Sequence, residues 1–169
     1  RYAFDALRAD TYTLTATPPT GAALQAADAQ TQTGDGLTFT NLTLGAGEQR
    51  TLNLLAVPLC AVRGTVTRGG SAVDGVAVTL TDAAGSAQAT RTDAQGAYAF
   101  EGLPAGTYQL TVTPDAHQTV GTVNGETWQG NAPYAATLTL QDGETHTDVF
   151  TLQATATLQG KIHGLPEGH

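Results

Sequence analysis

Between residues 59 and 153 apolar and polar side chains alternate in short runs, and each run predicts a strand. The first covers 61–67. In the second, 75–82, Val76, Val78 and Leu80 fall on one face. A short third spans 87–93. The fourth, 96–103, turns Tyr98 and Phe100 inward, and the fifth, 106–114, sets Tyr108, Leu110 and Val112 on one face. Residues 136–143 and 145–153 supply the sixth and seventh. Turn-forming residues separate the runs: Gly69-Gly70, Asp82 to Gly85, Asp93 to Gly96, Pro104 to Gly106 and Asp142-Gly143. No segment sustains a period of 3.6. Seven antiparallel strands in about 95 residues predict an all-β fold, a Greek-key sandwich.

The pattern also recurs. RYAFDALRADTYTLTATPP at 1–19 matches AYAFEGLPAGTYQLTVTPD at 97–115, so that Tyr2, Phe4, Leu7, Tyr12 and Leu14 fall on Tyr98, Phe100, Leu103, Tyr108 and Leu110. The spacing of 96 still holds from Leu42 to Leu138, from Gly47-Glu48 to Gly143-Glu144 and from Gly64 to Gly160. A constant spacing without gaps predicts tandem copies of one domain. Residues 59–153 are then a complete copy, 1–58 the back part of a preceding copy, and 154–169 the first strand of a following one. Val57-Pro58 and Gln153-Ala154 are the joins, and joins this short predict a stiff array. Residues 1–58 lack three strands, which leaves one apolar face bare. The polypeptide is therefore expected to continue past both ends. Strand exchange between chains is the alternative.

Composition narrows the role. The chain of 169 residues carries 7 Lys+Arg against 15 Asp+Glu, a net charge of -8. An acidic surface argues against nucleic acid and against an anionic membrane. Only 13% of residues are charged while 40% are hydrophobic, enough to bury a core. Aromatics are 6%, so the core is built from Val, Leu, Ala and Thr methyls. The single cysteine, Cys60, cannot form an internal disulfide. No apolar run reaches membrane-spanning length. Abundant Ala, Gly and Thr with one lysine point to a GC-rich bacterium.

TDAQGAYAFEGLPAGTYQLTV, from Thr92 to Val112, resembles the hallmark TDxxGxYxFxxLPxGxYxLxV of the prealbumin-like, collagen-adhesin B-type repeat superfamily. That group includes the carboxypeptidase regulatory-like and serine-aspartate-repeat B domains. The first copy departs from it at Arg8-Ala9-Asp10, where the second has Pro104-Ala105-Gly106. The resemblance implies an Ig-like or prealbumin-like sandwich serving as stalk, spacer or adhesive module of secreted and surface proteins. It also raises an internal lysine–asparagine isopeptide assisted by an acid near Glu101. Lys161 is the only lysine, Thr65 stands at its place in the complete copy, and the last strand offers no asparagine. The crosslink is therefore expected to be absent from 59–153, with Glu101 a solvated turn residue. Lys161 could serve one only in a following domain. Calcium, bound by relatives through clustered acids, wants six or more oxygens. Asp74, Asp82, Asp93 and Asp142 are single acids in separate turns, so no metal is expected.

His117, His146, His163 and His169 follow no zinc spacing, Ser71 and Ser86 sit in turns without a nearby histidine, and Cys60 has no histidine partner in sequence. Neither enzyme activity nor a cofactor is expected. The segment NGETWQGNAPY at 124–134 repeats least well and holds the only tryptophan. Trp128 and Tyr134 could stack on a sugar ring, with Asn124, Gln129 and Asn131 as hydrogen-bonding partners. Alternatively, Trp128 folds back as a lid on a core poor in aromatics. At the matching place the first copy has Gln32 and no aromatic until Phe39. The leading expectation is a structural repeat segment of an extracellular or cell-surface protein, a building block of a stalk, layer or fibre. Its partners would be neighbouring repeats, with self-assembly into a fibre or layer. The runner-up is a carbohydrate- or ligand-binding accessory module working through 124–134 on polysaccharide.

Overall fold

The computed structural model describes residues 2–26, 36–130 and 133–156. Lys161, His163 and His169, with most of the 154–169 segment, lie outside the described residues, as do Gln32 and Asn131. Those described form an all-β protein without a helix. The strands are β1 (Asp10–Ala16), β2 (Ala22–Ala26), β3 (Leu37–Leu44), β4 (Leu54–Pro58), β5 (Cys60–Arg68), β6 (Ser71–Ala72) and β7 (Ala77–Asp82). They continue with β8 (Ala87–Arg91), β9 (Ala97–Leu103), β10 (Gly106–Thr113), β11 (Gln118–Val123), β12 (Glu126–Thr127), β13 (Tyr134–Leu140) and β14 (Thr145–Ala154). Each expected strand of 59–153 is present. Three were not expected: β6, β11 and β12. Glu101 lies exposed within β9, not in a turn.

Four sheets result. One has the order β13-β10-β7-β8. A second runs β12-β11-β14-β5-β6, with β9 also laddered on β5. Two small sheets pair β1 with β3 and β2 with β4. By packing, the chain divides into two compact units. The first comprises 1–62, 100–108 and 138–146, and the second 63–99, 109–137 and 147–169. Leu24, Leu37, Cys60, Val62, Leu103 and Leu140 are buried in the first. In the second, Val66, Val78, Leu80, Leu110, Val112, Phe150 and Leu152 are buried at strict alternation along their strands. Leu and Val dominate both sets, as a composition poor in aromatics requires.

The spacing of 96 survives in the backbone. β2 pairs β4 with Ala22 opposite Pro58, Ala23 opposite Val57 and Leu24 opposite Ala56. β11 pairs β14 with Gln118 opposite Ala154, Thr119 opposite Gln153 and Val120 opposite Leu152. Each residue of the second ladder is the counterpart of one in the first, until the β11 ladder shifts register between Val120 and Thr122. β1–β3 likewise corresponds to β10–β13. The local bonds repeat with the ladders. The Tyr12 hydroxyl donates to Arg8 O at 2.8 Å, and Tyr108 to Pro104 O at 2.8 Å. Glu48 accepts the Gly45 amide at 2.7 Å, and Glu144 the Gln141 amide at 2.8 Å. The Leu59 amide donates to Gly21 O at 2.9 Å, and Thr155 to His117 O at 2.8 Å. Even positive φ is shared, Gly21 at 77° matching His117 at 71°. A backbone that puts a histidine in the left-handed region does so because the turn, not the residue, demands it.

The polar hallmark residues act on the backbone. The Asp93 carboxylate accepts the amides of Gln95 and Ala97, and Asp82 those of Ala84 and Ser86, which closes both turns. Thr92 is buried, yet its hydroxyl donates to Val73 O and accepts from Val76 N. A buried hydroxyl satisfied twice is stable in an apolar interior.

Candidate functional site

Asn124 and Gly125 have φ of 52° and 86° and join β11 to β12, with Val123 opposite Glu126. Two left-handed residues in a two-residue connection make a turn that favours Asn-Gly. Segment 124–134 therefore opens with a tight hairpin, and the joining region between the fifth and sixth expected strands contains strand structure of its own. The Asn-Gly pair was the signal for it.

Asn124 is bound to β14 on three sides. Its amide nitrogen Nδ2 donates to Asp148 Oδ1 at 2.8 Å, its Oδ1 accepts Val149 N at 2.8 Å, and its own backbone N donates to Val149 O at 2.8 Å. Asp148 is buried. Its carboxylate bears on two phenols. Burial, reinforced by Asp148 and then by Tyr134, holds the Tyr98 phenol far above its ordinary range. Burial and Asp148 raise the Tyr134 phenol as well. Gly64 belongs to this cluster, since a Cβ there would stand 2.5 Å from Asp148 O and from the Tyr98 ring.

Trp128 is half-buried, and its amide donates to Gly121 O at 2.9 Å. Its ring meets Tyr134 edge-on at 4.7 Å, and Tyr134 meets Phe150 at 5.1 Å and 69°. Tyr98 continues the row at 6.4 Å from Phe150. Gly130 lies against the indole, with a Cβ there reaching to 2.5 Å. The Nε1 of Trp128 is buried and has no acceptor among the described residues. Trp128 and Tyr134 are thus brought together, but edge to ring and not as an open platform. Tyr134 is buried, Asn124 is committed to β14, Gln129 is exposed, and Asn131 lies outside the described residues. Aromatic residues in edge contact are worth about 0.5–1.5 kcal/mol beyond their burial, so this arrangement strengthens the fold.

Elsewhere, Cys60 is buried and its thiol donates to Gln141 O at 2.9 Å. A concavity of about 140 Å³ is lined by Ala23, Val57, Pro58, Pro104, Ala105 and Asp142 among others, a wall with no nucleophile and base together. Among the described residues no three His, Cys, Asp or Glu side chains gather into a metal-binding set. Among the described residues no helix is long and apolar enough to cross a membrane.

The carboxypeptidase regulatory-like domain model matches residues 61–153. No curated protein sequence matches the chain. Among solved structures, the chain is similar to the Bacillus anthracis TIE protein (14% identity, 85% of this chain and 34% of that one, TM-score 0.45). It is similar to the minor pilin GBS52 of Streptococcus agalactiae (14% identity, 87% and 88%, TM-score 0.43). It is also similar to the pilus adhesin SpaC of Lactobacillus rhamnosus GG (20% identity, 80% and 19%, TM-score 0.44). The chain spans about a third of the length of the Bacillus protein.

Proposed function

This chain belongs to the carboxypeptidase regulatory-like domain family through residues 61–153, and from that premise we propose that it is a structural repeat segment of an extracellular or cell-surface protein. In this reading 59–153 is one whole repeat, 1–58 the later part of another, and 154–169 the start of a third. The repeats build a stalk, layer or fibre, and each repeat's partners are its neighbours. The observation that carries the reading is the recurrence of ladder register and turn bonds at a spacing of 96. A catalytic domain places unlike side chains in one cleft. Here the recurring elements are backbone ladders and the turns that close them, which is what a load-bearing module needs.

Carbohydrate binding through Trp128, Tyr134, Asn124 and Asn131 is the second reading. The Trp128 N–H, without an acceptor among the described residues, favours it. The burial of Tyr134 and the three bonds of Asn124 to β14 weigh against it. Two assays decide. Antibody to the chain should label the surface of intact source cells and recover a structural polymer. Label confined to the cytosol would overturn the first reading. Retention on cell-wall polysaccharide that Trp128→Ala abolishes, while the fold persists, would install the second.

A further inference from the structure

Tyr2, Phe4 and Leu7 are 48, 63 and 47% exposed, whereas their counterparts Tyr98, Phe100 and Leu103 are 4, 5 and 1% exposed. The backbone differs in the same place. Residues 97–103 form β9, laddered on β5, while residues 2–7 are in no strand. β10 has β13 on one edge and β7 on the other, but its counterpart β1 pairs only with β3 among the described residues. β14 lies between β11 and β5, but its counterpart β4 pairs only with β2 among the described residues. Among the described residues the vacancies of the first copy therefore answer to one stretch of the second, β5 to β8, which lies within residues 59–96.

The rest of the first copy is already set. Its Tyr12, Glu48 and Gly21 bonds are those of the complete copy, and its β2–β4 register is the same. Residues 10–26 and 36–58 hold these bonds and this register before any strand is added. Unpaired edges beside an apolar face are sites for strand addition. The chain's own 59–96 is not free to move there, because Val62, Val66, Val76, Val78 and Leu80 are buried where they stand.

We infer that residues 2–16 and 54–58 form a strand-acceptor surface whose occupant is a polypeptide segment of the β5–β8 type. One of its strands, alternating Val and Leu as β7 does, adds to the open edge of β1. Another, alternating as β5 does, lies between residues 2–7 and β4 and draws 2–7 into a ladder. This rests on the repeat reading of residues 1–58 but not on where the protein is located.

The probe is a polypeptide with the sequence of residues 59–96, added to the full chain and followed by amide hydrogen exchange. Exchange in 10–16 and 54–58 should slow at least about tenfold, and residues 2–7 should gain protection. A probe with Val76, Val78 and Leu80 changed to Asp should leave both unchanged. Because a free probe can self-associate, a second chain carries the 59–96 sequence fused directly before Arg1, the place that 59–96 holds relative to residue 97. That chain should show the same protection and lose most binding of an apolar-surface dye. Unchanged exchange at 10–16 in the fused chain overturns the inference together with the repeat reading of 1–58, and leaves the proposed location untouched. Cytosolic label in the cell assay does the reverse.

Discussion

Segments 2–16 and 98–112 carry one pattern of Tyr, Phe, Leu and Tyr, yet only the second builds a core. In the second, Leu110 and Val112 are buried on β10, which has a strand on each edge, and Phe100 is buried on β9, which is laddered on β5. In the first, Leu14 and Ala16 are half-buried on a two-stranded sheet, and Phe4 is exposed. Apolar alternation thus specifies which face of a strand wants burial and says nothing of whether a partner is present to bury it. The hydrophobic contribution, about 25 cal/mol for each Å² covered, arises only on covering.

The sharpest break of this comparison is a matched truncation. Phe150→Ala removes a fully buried ring and should destabilise the fold by about 3–5 kcal/mol. Phe4→Ala should change stability by no more than about 0.5 kcal/mol. Urea denaturation of both variants measures the contrast, and equal effects would show that residues 2–16 already hold a core. Next comes Gly64→Ala. Its Cβ meets backbone at Asp148 O as well as the Tyr98 ring, so neither side yields easily, and a loss of about 1–3 kcal/mol is expected. A thermal midpoint equal to the parent's would mean that β5 and β14 separate more readily than their packing indicates.

The alkaline limb sharpens the comparison further. The folded state holds Tyr98 and Tyr134 protonated beyond the pH at which the unfolded chain, with ordinary phenols near 10.0, releases its protons. The unfolded state then binds fewer protons, so stability falls as pH rises. Their contribution is whole below pH 10.0 and is lost on passing through the raised folded values, with a slope for Tyr98 of up to about 1.4 kcal/mol per pH unit. Tyr98→Phe should flatten the decline measured by circular dichroism between neutral and strongly alkaline pH. An unaltered decline would detach it from Tyr98. The smallest effect is at the two tyrosine corners. Tyr108→Phe deletes a half-buried bond to Pro104 O and should cost about 1 kcal/mol. Tyr12→Phe deletes the same bond in solvent and should cost less than about 0.5 kcal/mol. Equal losses would show that the surroundings add nothing.

Much of this was legible in the residues. Asp82, Asp93, Glu48 and Glu144 close their turns on amides two to four positions away, and short-range bonds of that kind depend on little else. The tyrosine corners reach back four residues, and their recurrence at a spacing of 96 could be read directly. The alternation of Val76, Val78 and Leu80 named the inward face of β7 before any partner was known. β11 was missed because Gly121 interrupts its alternation and its ladder shifts register there. Asn124-Gly125 is the turn that announces it.

Tertiary structure decided what depends on residues far apart. Whether 2–7 and 97–103 become strands depends on a ladder partner, and a strand, unlike a helix, cannot satisfy its own amides and carbonyls. The orientation of Trp128 depends on Tyr134 and Phe150, whose rings a local pattern does not bring together. The burial of Asp148, a polar position in the alternation of β14, depends on Asn124, twenty-four residues before it, whose Nδ2 donates to the desolvated carboxylate. The sequence alone determined the faces, the turns and the period. The fold determined which of those faces are covered, because the free energy of a ladder or a buried ring belongs to pairs of segments and not to either segment alone.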